Sequence, residues 1–138
     1  MNNILKITNL TKKYYTKEKE ILTIDNISLD IKENSITAIV GPSGCGKSTL
    51  LNIIGKLDKQ TNGSIIYTKD KISYMFQTDC LFPWLTILDN CLLGLKIQKK
   101  LTKENINYVK QLLNNYGLKD YINSYPKNLS GGMKQRVV

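Results

Sequence analysis

The sequence predicts an α/β fold, and three observations point there. Short apolar runs of strand character occupy the first half of the chain. A glycine-rich loop joins one of these runs to a helix, and beyond Pro83 the apolar spacing changes to a helical period.

Taken in order, Ile4–Leu10 and Ile27–Ile31 alternate apolar with polar residues, the pattern of half-buried strands. Ile36–Val40, reading ITAIV, is nearly continuous in its apolar character and suits a strand covered on both faces. It leads into GPSGCGKST, and LLNIIGKL follows at helical spacing. SIIY (Ser64–Tyr67) and ISYMF (Ile72–Phe76) read as two further strands, with Lys69, Asp70 and Lys71 at the turn between them. After Pro83, Leu88, Leu92 and Leu95 fall on one helical face. Thr102 opens a helix as its N-cap, Ile106, Val109, Leu112 and Leu113 stand at core spacing, and Gly117 closes it.

The 138 residues suit one domain, and 41% hydrophobic content supports a globular core. No apolar run is long enough to span a bilayer, and the N-terminal stretch has neither the apolar region nor the cleavage site of a secretory signal. A cytoplasmic location is expected. Cys45, Cys80 and Cys91 are scattered without a CxxC pair and read as free thiols, not as a disulfide frame or metal site. Histidine is absent, which removes imidazole from any mechanism. The net charge of +9 comes from lysines spread along the chain, so a solvated surface is expected and no nucleic-acid partner.

Gly41, Gly46, Lys47 and Ser48 fit G-x-x-x-x-G-K-[ST] between a predicted strand and a predicted helix, the context the motif requires. Chance gives such a match at about 10⁻⁴ or less per starting position. Glycines let backbone N–H groups approach phosphate oxygens, and the new helix turns its unpaired N–H groups to the same place. Gly41, Pro42, Ser43, Gly44, Cys45, Gly46, Lys47, Ser48 and Thr49 are therefore the expected nucleotide cradle. Lys47 is expected at the β- and γ-phosphates, and the Ser48 hydroxyl on Mg²⁺. Cys45 sits where a thiol is open to activation, but a small tolerated side chain is the preferred reading.

LSGGMKQR follows at Leu129–Arg136. With the phosphate loop upstream, this sequence resembles the nucleotide-binding subunits of ABC transporters over essentially the whole chain. The resemblance implies a P-loop NTPase fold with an antiparallel β subdomain, a partial RecA-like core and a helical subdomain. The corresponding boundaries are about 1–77 for the β subdomain and core, 78–130 for the helical subdomain, and 131–138 for the start of the signature helix. It also implies ATP and Mg²⁺ as ligands and head-to-tail pairing with a second ATP-binding subunit. Ser130, Gly131 and Gly132 then meet the γ-phosphate held by that partner. Gln77 falls at the Q-loop position, contacting Mg²⁺ and the attacking water. Tyr14 falls where an aromatic stacks on adenine, with Tyr15 as a substitute.

FPWLTILDN (Phe82–Asn90) is similar to the stretch after the Q-loop in importers of the nitrate, sulfonate and taurine type. By that resemblance, the region Phe82 to Leu93 receives transmembrane permease subunits on the cytoplasmic face of the membrane, with a solute-binding protein as a further partner. For Trp84 and Leu85 the alternative is packing inside the subdomain. The family's Walker B strand, catalytic glutamate and switch histidine lie downstream of the signature, so the resemblance implies that this chain is an N-terminal portion, unable to turn over ATP by itself. WLTILD (Trp84–Asp89) imitates a Walker B strand, but Thr86 interrupts it and Asn90 replaces the glutamate. Two rivals stand beside the transporter reading: a soluble ATPase of this family acting on ribosomes or DNA, and a non-catalytic nucleotide-binding remnant.

Overall fold

The computed structural model describes residues 2–69 and 71–138. They form two compact units, Met1–Tyr74 and Met75–Val138.

In the first unit β1 (Asn3–Tyr15) and β2 (Glu20–Lys32) make a long antiparallel hairpin, and β3 (Asn62–Tyr67) pairs antiparallel with the other edge of β1. Leu5 and Ile7 point to the core by simple alternation, yet the next core residue is Leu10. The phase change is a bulge at Asn9, which takes φ 50° while the register shifts between Ile7 and Leu10. Ser28 stabilises it by accepting from the Asn9 N–H and donating to the Asn9 side-chain oxygen. Across the bulge lies Gly63 at φ 86°, where a Cβ would stand 2.4 Å from the Asn9 carbonyl oxygen. Only glycine fits there.

The helix α1 (Lys47–Ile54) covers this sheet, placing Leu50 and Ile53 against Leu5, Ile7, Leu10 and Ile24. Strands β1 and β2 run past the apolar stretches that announce them, through residues 11–15 and 20–26. The extension rests on backbone pairing, on the Lys13–Glu20 ion pair at 2.7 Å, and on a closing turn in which Thr16 Oγ1 donates to the Lys19 carbonyl and accepts its N–H. None of these depends on apolar alternation, so the pattern does not register them.

Two expected strands are absent. Ile36–Val40 is irregular, with Ile36 fully exposed and Val40 91% exposed, and only Ile39 reaches the core. A strand exists only where neighbours satisfy its N–H and C=O groups. Among the described residues no strand lies beside this run. Ile72–Phe76 likewise joins no sheet, and Met75 and Phe76 are exposed. Tyr74 turns back to α1, its hydroxyl donating to Asn52 Oδ1 at 2.6 Å. Asp70, in the expected turn, lies outside the described residues.

The second unit is helical: α2 (Ile87–Ile97), α3 (Lys103–Asn115) and α4 (Gly131–Val137), with single 3₁₀ turns at Lys119–Tyr121 and Pro126–Asn128. Each α-helix opens on a hydroxyl N-cap. Thr86, Thr102 and Ser130 accept the N–H of Asp89, Asn105 and Met133 respectively. Ile87, Leu113, Leu118 and Leu129 form the core, with Leu88, Val109, Met133 and Val137 packed around it. Gly117, at φ 72°, ends α3 where the sequence places the stop. Among the described residues no helix is long and apolar enough to cross a membrane.

Candidate nucleotide site

The loop between β2 and α1 carries the phosphate motif, and its conformation follows from its glycines. Gly46 is the N-cap of α1 at φ 94°, and Gly44 stands at φ 81°. The two have different surroundings. A Cβ on Gly46 would lie 2.7 Å from the Thr23 carbonyl oxygen, because the loop presses directly on β2, whereas one on Gly44 would meet nothing within 4 Å. The loop is thus anchored at one glycine and open at the other. The first intrahelical bond runs from the Leu50 N–H to the Gly46 carbonyl, so the N–H groups of Lys47, Ser48 and Thr49 precede the helical ladder.

Lys47 folds over the loop. Its ammonium donates to the carbonyls of Gly41 at 2.7 Å and Pro42 at 2.6 Å, and lies 3.7 Å from Cys45 Sγ. A cation held at a loop mouth, an open glycine and a helix start make a place suited to an anion. The donor set also fits the group the motif implies. Gly44 leaves the backbone accessible, and Ser48 exposes a neutral hydroxyl oxygen. One such oxygen suits Mg²⁺, which takes few protein ligands and draws the others from phosphate and water.

Tyr14 belongs to the same unit. Its hydroxyl donates to Asp58 Oδ2 at 2.8 Å, and the Lys12 ammonium stands 4.6 Å from its ring centroid. Lys12, only 8% exposed, donates to Asp58 Oδ1 and to the Lys59 carbonyl, both at 2.7 Å. The Lys12 ammonium, and after it the Tyr14 hydroxyl, hold the Asp58 carboxyl below the usual carboxylate range. Tyr15, the substitute candidate, is 68% exposed and carries no such anchoring among the described residues.

The remaining candidates lie in the second unit. Gln77 is in an exposed bend, lining a cavity of about 340 Å³ with Met75, Asp79 and Gln135. Ser130 caps α4 while staying exposed. A Cβ on Gly131 would meet nothing within 4 Å, and the same holds for Gly132. Arg136 ties this helix down, donating to the Tyr116 carbonyl at 2.9 Å and the Gly132 carbonyl at 3.3 Å. Trp84 is 69% exposed, so internal packing is not its role, whereas Leu85 is half-buried. The Phe82 and Trp84 rings meet edge to face at 5.2 Å.

Sequence reasoning missed what holds these groups. Asn90 binds the loop that presents Phe82 and Trp84: its side chain accepts the Phe82 N–H and donates to the carbonyls of Phe82, Leu85 and Thr86. Lys12 and Asp58 are separated by 46 positions, and although alternation puts Lys12 and Tyr14 on one face, the bulge at Asn9 changes which face that is. The thiols are all free, and burial pushes that of Cys91 upward.

The family model for ABC transporters matches residues 24–138. This chain belongs to that family. It is 39% identical to the lipoprotein-releasing system ATP-binding protein of Buchnera aphidicola, over 99% of this chain and 68% of the relative. It is 37% identical to the aliphatic sulfonates import ATP-binding protein of Bacillus cereus, over 94% of this chain and 53% of the relative. Among solved structures it matches the dimeric ABC transporter cassette MJ0796, at a TM-score of 0.83 and 38% identity, covering 96% of this chain and 66% of that one. The same cassette in a post-hydrolysis state bound to ADP and Pi matches at 0.81 and 37%, with the same coverage. The chain thus spans about half to two thirds of the length of the proteins it matches. Its fold is that of an ABC-type P-loop nucleotide-binding domain, an antiparallel sheet joined to helices.

Proposed function

We propose that this chain forms the ATP-binding part of the energy-coupling subunit of an ABC importer. The observation that carries the reading is the loop at the start of α1, where the Lys47 ammonium, the open Gly44 and the leading N–H groups converge. In this reading Lys47 leaves its two loop carbonyls to hold the β- and γ-phosphates, and the amides of Ser43 to Cys45 with Thr49 complete the cradle. Tyr14 takes the adenine. Ser48 would hold Mg²⁺, with Gln77 joining it by the resemblance, and the ion would supply charge neutralisation of the phosphates. Ser130, Gly131 and Gly132, all exposed, serve the phosphate loop of a second subunit in a head-to-tail pair.

The exposed Phe82–Trp84 pair, at the start of the region Phe82 to Leu93, is the contact for transmembrane permease subunits at the cytoplasmic face. A solute-binding protein is the expected further partner. Import is favoured by the relative named for aliphatic sulfonates import, and a second relative, named for nitrate import, points the same way at 37% identity. A releasing direction is the second reading, favoured by the lipoprotein-releasing relative. Affinity purification of the tagged protein from its own membranes tests both. Recovery of a permease and a solute-binding protein supports import. Recovery of a lipoprotein-releasing membrane complex supports the second reading, and recovery of ribosomes with no membrane partner overturns both.

A further inference from the structure

The anchoring of Tyr14 is more elaborate than an exposed aromatic on a hairpin requires. Three groups meet there. Asp58 receives the Tyr14 hydroxyl on one carboxylate oxygen and the Lys12 ammonium on the other, while that ammonium also faces the Tyr14 ring. The ring is thereby fixed at its edge and on one face, yet the residue keeps 38% of its surface exposed. Rotation about the last side-chain bonds, normally free for a tyrosine at a strand end, costs these contacts.

The cluster is also tied to the phosphate loop through covalent and hydrogen-bonded paths within the first unit. Asp58 follows the end of α1, whose start is that loop. The segment after Asp58 is held to β1, with the Thr61 N–H donating to the Thr11 carbonyl and the Lys13 N–H donating to Thr61 Oγ1. On the other side, the place where Gly46 presses on β2 is Thr23 and Ile24, and Ile24 pairs with Lys12 while Ile21 pairs with Tyr14. Three strand positions separate the two sites, about 10 Å. That is a spacing a nucleotide bridges from phosphates to base.

We infer that Asp58 and Lys12 are positioning residues for the base of a bound adenine nucleotide, acting through Tyr14 to hold its ring ready to stack. The proposal rests on the nucleotide-binding reading above. It makes a preorganised ring part of affinity, since a ring already fixed loses less freedom on binding. It also separates base recognition from phosphate recognition, because neither Asp58 nor Lys12 belongs to the phosphate loop.

The test compares two ligands by calorimetry on the intact protein: MgATP, which has a base, and magnesium tripolyphosphate, which has none. Asp58→Asn, Lys12→Met and Tyr14→Phe are measured beside the unaltered protein. Tyr14→Phe keeps the ring and removes only the hydroxyl that Asp58 accepts, so it tests the anchoring without disturbing Lys12. The expected result is a roughly tenfold loss of MgATP affinity in all three with tripolyphosphate affinity unchanged, and retention of MgATP affinity in Lys12→Arg, which keeps the cation. In a Tyr14→Ala background, Asp58→Asn is expected to cost no further MgATP affinity. Equal losses for both ligands would reduce the cluster to a structural support, and unchanged MgATP affinity in Tyr14→Phe and Asp58→Asn would overturn the positioning role. Failure of the unaltered protein to bind either ligand would instead remove the nucleotide reading itself, and this inference with it.

Discussion

Gly46→Ala is a sharp probe of how the phosphate loop is built. Two penalties add at this site. An alanine at φ 94° occupies the left-handed region, which costs an L-residue about 1–2 kcal/mol. Its Cβ would also stand 2.7 Å from the Thr23 carbonyl oxygen, a backbone atom that cannot swing away, and accommodating it costs a further ~1–3 kcal/mol by analogy with an overpacked core. The expected destabilisation is about 2–5 kcal/mol. Gly44→Ala is the control. Its φ of 81° carries the same conformational cost, but the space around it is open, so about 1–2 kcal/mol is expected. Urea unfolding followed by circular dichroism reads the difference. With a slope of about 2 kcal/mol per molar, the Gly46→Ala midpoint should fall about 0.5–1.5 M below that of Gly44→Ala. Coincident midpoints would mean that the loop does not press on β2, and the account of its anchoring would be wrong.

Three further outcomes follow from the same geometry. The folded carboxyl of Asp58 is held below its unfolded value, so its contribution is fully present above the ordinary carboxylate range and is lost as pH falls through the lowered value. Acid unfolding of Asp58→Asn should therefore be flatter over that range, and an acid limb as steep as the unaltered protein's would contradict the coupling. Asn90→Ala removes four hydrogen bonds from the Phe82–Thr86 loop and should cost about 2–3 kcal/mol, with a shift in the emission of Trp84. An unchanged Trp84 spectrum counts against Asn90 as the holder of that loop. Arg136→Ala frees the Tyr116 and Gly132 carbonyls at an exposed site, costing about 1 kcal/mol, and hydrogen exchange in α4 should quicken while that in α2 does not.

What could be read from the sequence was whatever is local. The loop at Gly41–Thr49, the N-cap Thr102 and the stop at Gly117 depend on residues within a few positions of one another, and the structure carries each local feature where the sequence has it. Ile36–Val40 shows the opposite case. Its apolar composition describes a buried central strand, but strand formation is a property of the pair, and no partner stands beside it among the described residues. The hairpin end at residues 11–26 was illegible for a related reason. Its stability comes from backbone pairing and the Lys13–Glu20 ion pair, whose charged residues look in the sequence like a solvated loop. The Asn9 bulge reverses the face of every later residue on β1, so Lys12, apparently an outward lysine, ends buried beside Asp58. The resemblance singles out Tyr14 as a candidate, but nothing in the sequence singles out Lys12 and Asp58, which hold it.

The central claim is that the loop at the start of α1 is a triphosphate site governed by Lys47. Calorimetric titration of the intact protein with MgATP, beside Lys47→Ala, tests it most directly. Hydrogen bonds from a charged donor contribute about 1.5–3 kcal/mol each, so the account predicts saturable binding that weakens by about 10- to 100-fold in the variant, while freeing the Gly41 and Pro42 carbonyls at this exposed loop lowers stability by only about 1 kcal/mol. Equal affinity of the two proteins for MgATP would contradict it.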